Sequence, residues 1–470
     1  MLGKPTCLSP IIRKSRELWG FKGYVTSDSD SVHDAYNAAP PSGNGHAYPQ
    51  PNPTPEKATA LALIDGSCDI DSGDTYNSYL LPALDSKTEG LNMSHIDRAL
   101  YNSFKQRFDL GLFDPKAAYA WPGRDDVGTD ESAELSLNAS RSSIVLLRND
   151  LGLLPLPKHK RIAVIGPHAT AQKVLVQPYP FSPFCPDKTL SCIKSPVDAI
   201  SEINDGPAGQ SWTRTAPGCD LFNTSTAGFA EALALAKEAD YVILGLGIET
   251  CGMDPAHNLN PKAHGGKTGT CYQEALTTGY VFPDQYLELE AHDRTTIDLP
   301  QIQHDLAKAV LALNKPTVIF LMNAGAVAID AEAAHRGDAP LAIIEAFYPV
   351  RSDVYSSCVA STAHAMPTYD NVLIAVGQGL RGGQALAEGL FGEHNAWGRL
   401  PYTIYPNKFT DETPMSMHDL RVSPVSYSSS TLVVVHFPSY AIGDDPYCPT
   451  KPALFSSFFE GRVPRHTPAL

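Results

Sequence analysis

The chain has 470 residues, 43% hydrophobic and 19% charged, enough for about two to four domains at roughly 100 to 200 residues each and too apolar for wholesale disorder. Its 36 basic and 51 acidic residues leave a formal net charge of −15, which repels phosphate backbones and anionic membrane surfaces, so nucleic acid is a poor partner. No apolar stretch reaches the roughly 18 to 20 residues needed to cross a bilayer, so no membrane span is expected, and the start Met1-Leu-Gly-Lys-Pro lacks the apolar core of a signal peptide.

In chain order, residues 8 to 19 read as a helix with Ser9 as N-cap and Pro10 at the first helical position. The run FKGYVTS reads as a strand ending in a cluster of acids. Helices follow over 56 to 65, near 77 to 84 and over 95 to 109, with the polar strand end DIDSGDTY between the first two. This βα rhythm suits part of a (β/α)8 TIM-like barrel, but residues 1–113 are too few for a whole barrel of about 250 residues. They are expected to form its C-terminal portion. Residues 114–130 are rich in Pro, Gly and Asp and read as a linker.

A helix is expected near 131 to 142. Beyond it the apolar runs IVLL, RIAVIGP, YVILGLG, PTVIFLMN and LAIIEAF recur, with helices at 226 to 239 and 302 to 314 separating three of them. Buried strands alternating with helices predict a second, mostly parallel sheet covered on both faces, an α/β sandwich over 131–410. The segment 411–470 has no clear period and is expected to be an irregular tail.

Several residues could carry chemistry. Asp28 stands where an apolar strand stops, the end at which α/β barrels place catalytic groups. It could attack a sugar carbon, and it could equally cap the next helix. Asp69 and Asp71 end another βα unit, where they could bind sugar hydroxyls or cap the surface. The segment LELEAHDR supplies Glu288, Glu290, Asp293 and Arg294 ahead of a helix starting near Leu299 and Pro300. Alternating glutamates on an extended stretch share a face, and a solvated charged face is the plainer reading. The LGLG at 244 to 247 lacks the full dinucleotide fingerprint. The nine cysteines show no C-x-x-C pair, so no metal is expected. Asn92, Asn138 and Asn223 open N-x-S sequons, sites of glycosylation in an exported chain.

GFKGYVTSDSDSV resembles the nucleophile segment of family 3 glycoside hydrolases, in their fungal β-xylosidase branch. KPTC at 4 to 7, GSCDIDSGDTY at 66 to 76, IVLLRND, RIAVIGP, LELEAHDRTTIDLPQIQ, GGQALAEGL and GRLPYTIYP match the same family in the same order. The resemblance implies a barrel bearing an aspartate nucleophile and a sandwich domain supplying the acid/base glutamate, with no cofactor. It implies Asp28 as nucleophile, Glu288 as acid/base with Glu290 second, and Asp69, Asp71, Tyr76 and Arg294 as substrate-binding. The implied function is a retaining, extracellular exo-xylosidase acting on β-1,4-xylo-oligosaccharides. β-Glucosidase and α-L-arabinofuranosidase are alternatives within the family, and a non-catalytic remnant is the alternative outside the enzyme class.

The chain departs from the family in several places. Family members carry most of a barrel ahead of KPTC, so this chain is expected to be N-terminally truncated and impaired. Ser29 and Ser72 stand where the family has two cysteines, whose joint loss is expected if they form one disulfide. Residues 250–285, 350–376 and 422–470 break the family pattern, as insertions or as products of retained introns or frameshifts.

Overall fold

The computed structural model describes residues 6–37, 53–115, 129–176, 189–205, 211–222, 224–248, 294–347, 381–395 and 397–412. By contacts the chain divides into Met1–Val433 and Val434–Leu470, the second lying outside the described residues.

Helix α1 (Pro10–Trp19) begins as its sequence predicts, with the Ser9 hydroxyl accepting from the Ile11 amide, and ends on Gly20 in the left-handed region. Ahead of α2 (Ser31–Asn37), the chain passes through the GYVTS segment, which makes one parallel bridge, Thr26 to Ile70. Helices α3 (Pro55–Ile64), α4 (Thr75–Asp85) and α5 (Met93–Asp109) complete this part. Residues 58 to 63 of α3 are all buried. One side of α3 packs with Leu8, Val32 and Cys68, and Ala60 and Leu63 pack with Ala83 and Leu91. Other helix faces stay bare: Leu18 and Trp19 of α1 are 82% and 80% exposed, and Tyr101 and Phe108 of α5 are 67% and 63% exposed.

Thr129 caps α6 (Asp130–Ser143) through the Ser132 amide, and the sheet follows. Its elements are β1 (Val145–Asn149), β2 (Ile162–Ile165), α7 (Pro196–Asn204), β3 (Thr213–Ala216), α8 (Phe229–Glu238), β4 (Tyr241–Gly247), α9 (Gln301–Leu311), β5 (Thr317–Met322), α10 (Asp330–Ala333), β6 (Leu341–Glu345) and α11 (Gly382–Phe391). The six strands run in the order β1-β6-β5-β4-β2-β3. All pairs are parallel except β1 with β6.

Side chains alternate across each strand, so the apolar runs feed two cores. Val242, Leu244, Leu246, Ile319 and Leu321 pack with Ala232 and Leu235 of α8 and Leu306 and Val310 of α9. Ile243, Val318, Phe320 and Ile344 pack with Leu137 of α6, Ile200 of α7 and Leu386 and Leu390 of α11. The mostly parallel, doubly covered sheet is therefore the one the apolar runs predict. The LGLG glycines serve packing: a Cβ on Gly245 would meet Phe320 Cζ at 2.4 Å, and one on Gly247, at φ +146, would meet the Met322 carbonyl oxygen at 2.0 Å. On the second face, Arg141 of α6 donates to Glu388 of α11 at 2.6 Å and Gln384 donates to the same carboxylate at 2.8 Å. Burial alone would raise the Glu388 carboxyl, but these two donors outweigh it and hold it below its ordinary value.

β3, α2, α7, the helical state of α11 and the antiparallel direction of β1 are additions to the elements expected from sequence. Among the described residues no helix is long and apolar enough to cross a membrane. The three pattern-breaking stretches, 250–285, 350–376 and 422–470, lie outside the described residues.

Candidate active site

Two short extended segments, 23–27 and 67–71, lie side by side in parallel. The Ser27 amide donates to the Ile70 carbonyl at 2.9 Å, and the Asp69 and Ile70 amides donate to the Val25 carbonyl at 2.7 and 3.1 Å. Asp28 follows directly and is exposed. It opens a turn rather than α2 itself: its Oδ1 accepts from the Ser29 amide at 2.8 Å, and its carbonyl accepts from the Ser31 amide at 3.2 Å. Asp30 takes the left-handed φ of 60° within that turn, and its amide donates to the Ser72 carbonyl at 2.8 Å. The turn carrying Asp28 is thus tied to the turn after the neighbouring segment.

Asp69 and Asp71 point into the protein fabric. The Asp69 side chain is 0% exposed. Its Oδ2 accepts from Arg16 Nη2 at 2.6 Å and from the Val25 amide at 2.9 Å, and its Oδ1 accepts from Asn102 Nδ2 at 3.1 Å. Asp71 accepts from the Ser27 hydroxyl at 3.4 Å and from the Tyr76 amide at 3.0 Å, the latter in the first turn of α4. The Tyr76 hydroxyl donates to the Cys68 carbonyl at 3.0 Å. Burial, reinforced by the nearby Cys68 and acidic groups, pushes the Tyr76 phenol well above its usual range. Burial likewise lifts the Cys68 thiol to about 11, leaving it inert.

Asp28, Asp69, Asp71 and Tyr76 are therefore brought together by one strand pair. Arg294 sits at the approach to α9, where its Nη2 donates to the Ala326 carbonyl at 2.9 Å. Glu288, Glu290 and Asn223 lie outside the described residues. Asn92 is exposed and caps α5, accepting from the Ser94 amide at 3.0 Å, while Asn138 is exposed on α6 and accepts from Arg141 at 2.8 Å. Arg16 and Asn102 are participants not foreseen from sequence. The described residues include no group of three His, Cys, Asp or Glu side chains arranged to hold a metal.

Residues 144–356 match the family model of the glycosyl hydrolase family 3 C-terminal domain, which spans the whole six-stranded sheet. Over these residues the chain is similar to glycoside hydrolase family 3. Among the relatives it matches is a probable β-D-xylosidase 6 of Arabidopsis thaliana, 31% identical over 91% of this chain and 44% of the relative. A probable exo-1,4-β-xylosidase of Aspergillus terreus is 28% identical over 90% of this chain and 44% of the relative. The chain thus spans less than half the length of these curated relatives. A solved family 3 exo-β-xylosidase, bound to a xylobiose aziridine activity-based probe, superposes with a TM-score of 0.57 at 25% identity, over 87% of this chain and 42% of the other. The β-glucosidase of Listeria innocua shares the fold, with a TM-score of 0.54 at 22% identity over 83% of this chain and 42% of the other.

Proposed function

We propose that the chain carries the nucleophile and the acid/base of a retaining, exo-acting β-xylosidase that releases xylose from the non-reducing ends of β-1,4-xylo-oligosaccharides. The observation carrying this reading is the placement of Asp28, an exposed carboxylate directly after a strand segment whose neighbour holds the turn beneath it. Relatives named as β-xylosidases, aligned along nine-tenths of the chain, support the sugar class.

In this reading Asp28 attacks the anomeric carbon while Glu288, with Glu290 as second choice, protonates the departing oxygen. The same glutamate then takes a proton from the water that hydrolyses the ester. Such a pair stands about 5 to 5.5 Å apart. Residues 1–113 would be the C-terminal portion of a barrel, 114–130 a linker and 131–410 the sandwich domain. Asp71, Tyr76 and Arg294 would shape the sugar pocket. The disulfide that Cys192 forms supports an oxidising, extracellular setting, in which Asn92, Asn138 and Asn223 are candidate glycosylation sites. Among the described residues the backbone of the segment leading into Asp28 pairs with a single neighbouring segment, 67–71. Slow turnover is therefore expected from the 470 residues alone, since a shift of ~1 Å can cost about 100-fold.

Aryl glycosides test the proposal. An aryl β-xyloside should be cleaved faster than the matching β-glucoside, and Asp28→Asn should remove nearly all turnover. Glu288→Ala should impair substrates with poor leaving groups most, because those depend on protonation. Equal or faster cleavage of the glucoside would reject the xylosidase assignment. The same leaving-group dependence in Glu290→Ala alone would move the acid/base to Glu290. A Medicago sativa relative named β-xylosidase/α-L-arabinofuranosidase 1, 28% identical, favours a second reading in which an aryl α-L-arabinofuranoside is also cleaved.

A further inference from the structure

We infer that Asp69 is a positioning residue that fixes the height of the Asp28 carboxylate, in place of the sugar contact its strand-end location suggests. The inference rests on the reading of Asp28 as nucleophile. Asp69 lies two residues before the end of segment 67–71, close to where barrel architectures display ligand-binding groups, yet its side chain is 0% exposed. Both carboxylate oxygens are committed to the protein.

The commitments converge on the segment that leads into Asp28. Val25 is held at both ends of its peptide group: its amide donates to Asp69 Oδ2 at 2.9 Å, and its carbonyl accepts from the Asp69 amide at 2.7 Å. Arg16 closes the clamp from α1, donating through Nη2 to the same Oδ2 at 2.6 Å and through Nη1 to the Gly23 carbonyl at 2.7 Å. Its guanidinium also lies 5.4 Å from the centroid of the Phe21 ring. Asn102 adds α5 by donating to Oδ1 at 3.1 Å. One carboxylate therefore ties α1, segment 23–27, segment 67–71 and α5 at a single point. Asp28 is three residues beyond the clamped amide, so any slip of segment 23–27 carries the nucleophile with it.

The predicted consequence is kinetic: Asp69 should govern how fast Asp28 reacts and leave sugar affinity alone. A xylose-configured aziridine reports both. A carboxylate oxygen bonds to the anomeric-equivalent carbon, the C–N bond of the protonated ring breaks, and the nitrogen leaves as a tethered amine. Peptide mapping then locates the adduct. In Asp69→Asn the amide retains the shape but loses the charge that pairs with Arg16, and its NH2 replaces one acceptor with a donor facing either Asn102 Nδ2 or the Arg16 and Val25 donors. The limiting labelling rate should fall about 100-fold while the half-saturating concentration changes less than about threefold. Deuterium uptake across residues 23–27 should rise in the same variant.

Arg16→Lys provides a second test, which carries the experiment if Asp69→Asn does not fold. A lysine keeps the charge beside Asp69 but cannot fork to the Gly23 carbonyl, so its labelling rate should fall to an intermediate value. A raised half-saturating concentration with an unchanged limiting rate would overturn the inference and make Asp69 a sugar contact. Unchanged uptake across 23–27 in Asp69→Asn would also overturn it, whatever the labelling shows. Failure of the unsubstituted chain to label at Asp28 would instead reject the nucleophile reading, with the clamp then judged by the uptake alone.

Discussion

Ser29 and Ser72 stand with their hydroxyl oxygens 3.3 Å apart across 43 residues of sequence, at the point where the turn bearing Asp28 meets the turn after Ile70. The two positions also meet through the backbone, the Asp30 amide donating to the Ser72 carbonyl. Side chains that already touch can be bridged with little backbone movement. The double variant Ser29→Cys, Ser72→Cys should therefore close a disulfide on mild oxidation, stabilising the chain by about 2 to 4 kcal/mol through restriction of the unfolded state. Thiol titration and melting with and without reductant check this, and a pair that stays reduced under air would show the turns to be farther apart. At this scale the sequence was partly legible. The end of an apolar strand marked Asp28 as a displayed carboxylate, and the structure leaves it exposed. The same signal at Asp69 could not reveal its burial, because the partners that enclose it, Arg16 and Asn102, are 53 and 33 residues away.

Between elements, the segment before α9 and the segment after α11 are joined to α10 through one imidazole. His304 of α9, in its protonated form, donates through Nδ1 to Glu332 of α10 at 2.7 Å and through Nε2 to Asp298 at 2.8 Å. Asn407 donates to the other Asp298 oxygen at 2.6 Å and, through its amide, to Asp330 at 3.0 Å. Burial would lower the imidazole, but hydrogen bonds and charge from Asp298 and Glu332 outweigh it and raise His304 from 6.5 to about 10. A raised value means the stabilisation is complete below pH 6.5 and is lost as pH climbs toward 10. The melting temperature should exceed that of His304→Gln by most just below pH 6.5, and the gap should shrink to near zero by pH 10. A gap that widens with pH would contradict the pairing. The strands linked by this corner were legible as apolar runs, since a parallel sheet buried on both faces needs nothing else. β3 was not, because TRTA exposes its middle residues at a sheet edge, and α11 was not read as a helix because it opens with two glycines.

Over the whole molecule, apolar side chains divide unevenly. The sheet hides its own on both faces, whereas Leu18, Trp19, Tyr101, Phe108 and Leu110 are each more than 60% exposed. Phe108 and Phe113 meet at 4.3 Å between centroids without covering that face. Large apolar side chains exposed in this way offer binding sites for hydrophobic dyes. The purified chain should therefore enhance anilinonaphthalene sulfonate fluorescence in its folded state, and a variant carrying Leu18→Lys, Trp19→Lys, Tyr101→Lys and Phe108→Lys should lose most of the enhancement at an unchanged melting temperature. Equal fluorescence in the two would place the dye elsewhere. The edge of the sheet has a consequence in time. β1 is the first strand of the sheet to be synthesised, yet among the described residues its one neighbour is β6, with Val145 registered against Glu345. About 200 residues separate them, so at about 5 to 20 residues per second a ribosome would hold β1 without its partner for roughly 10 to 40 seconds. The parallel strands between them can assemble as they emerge, and the oldest strand of the nascent sheet would be the last to join it.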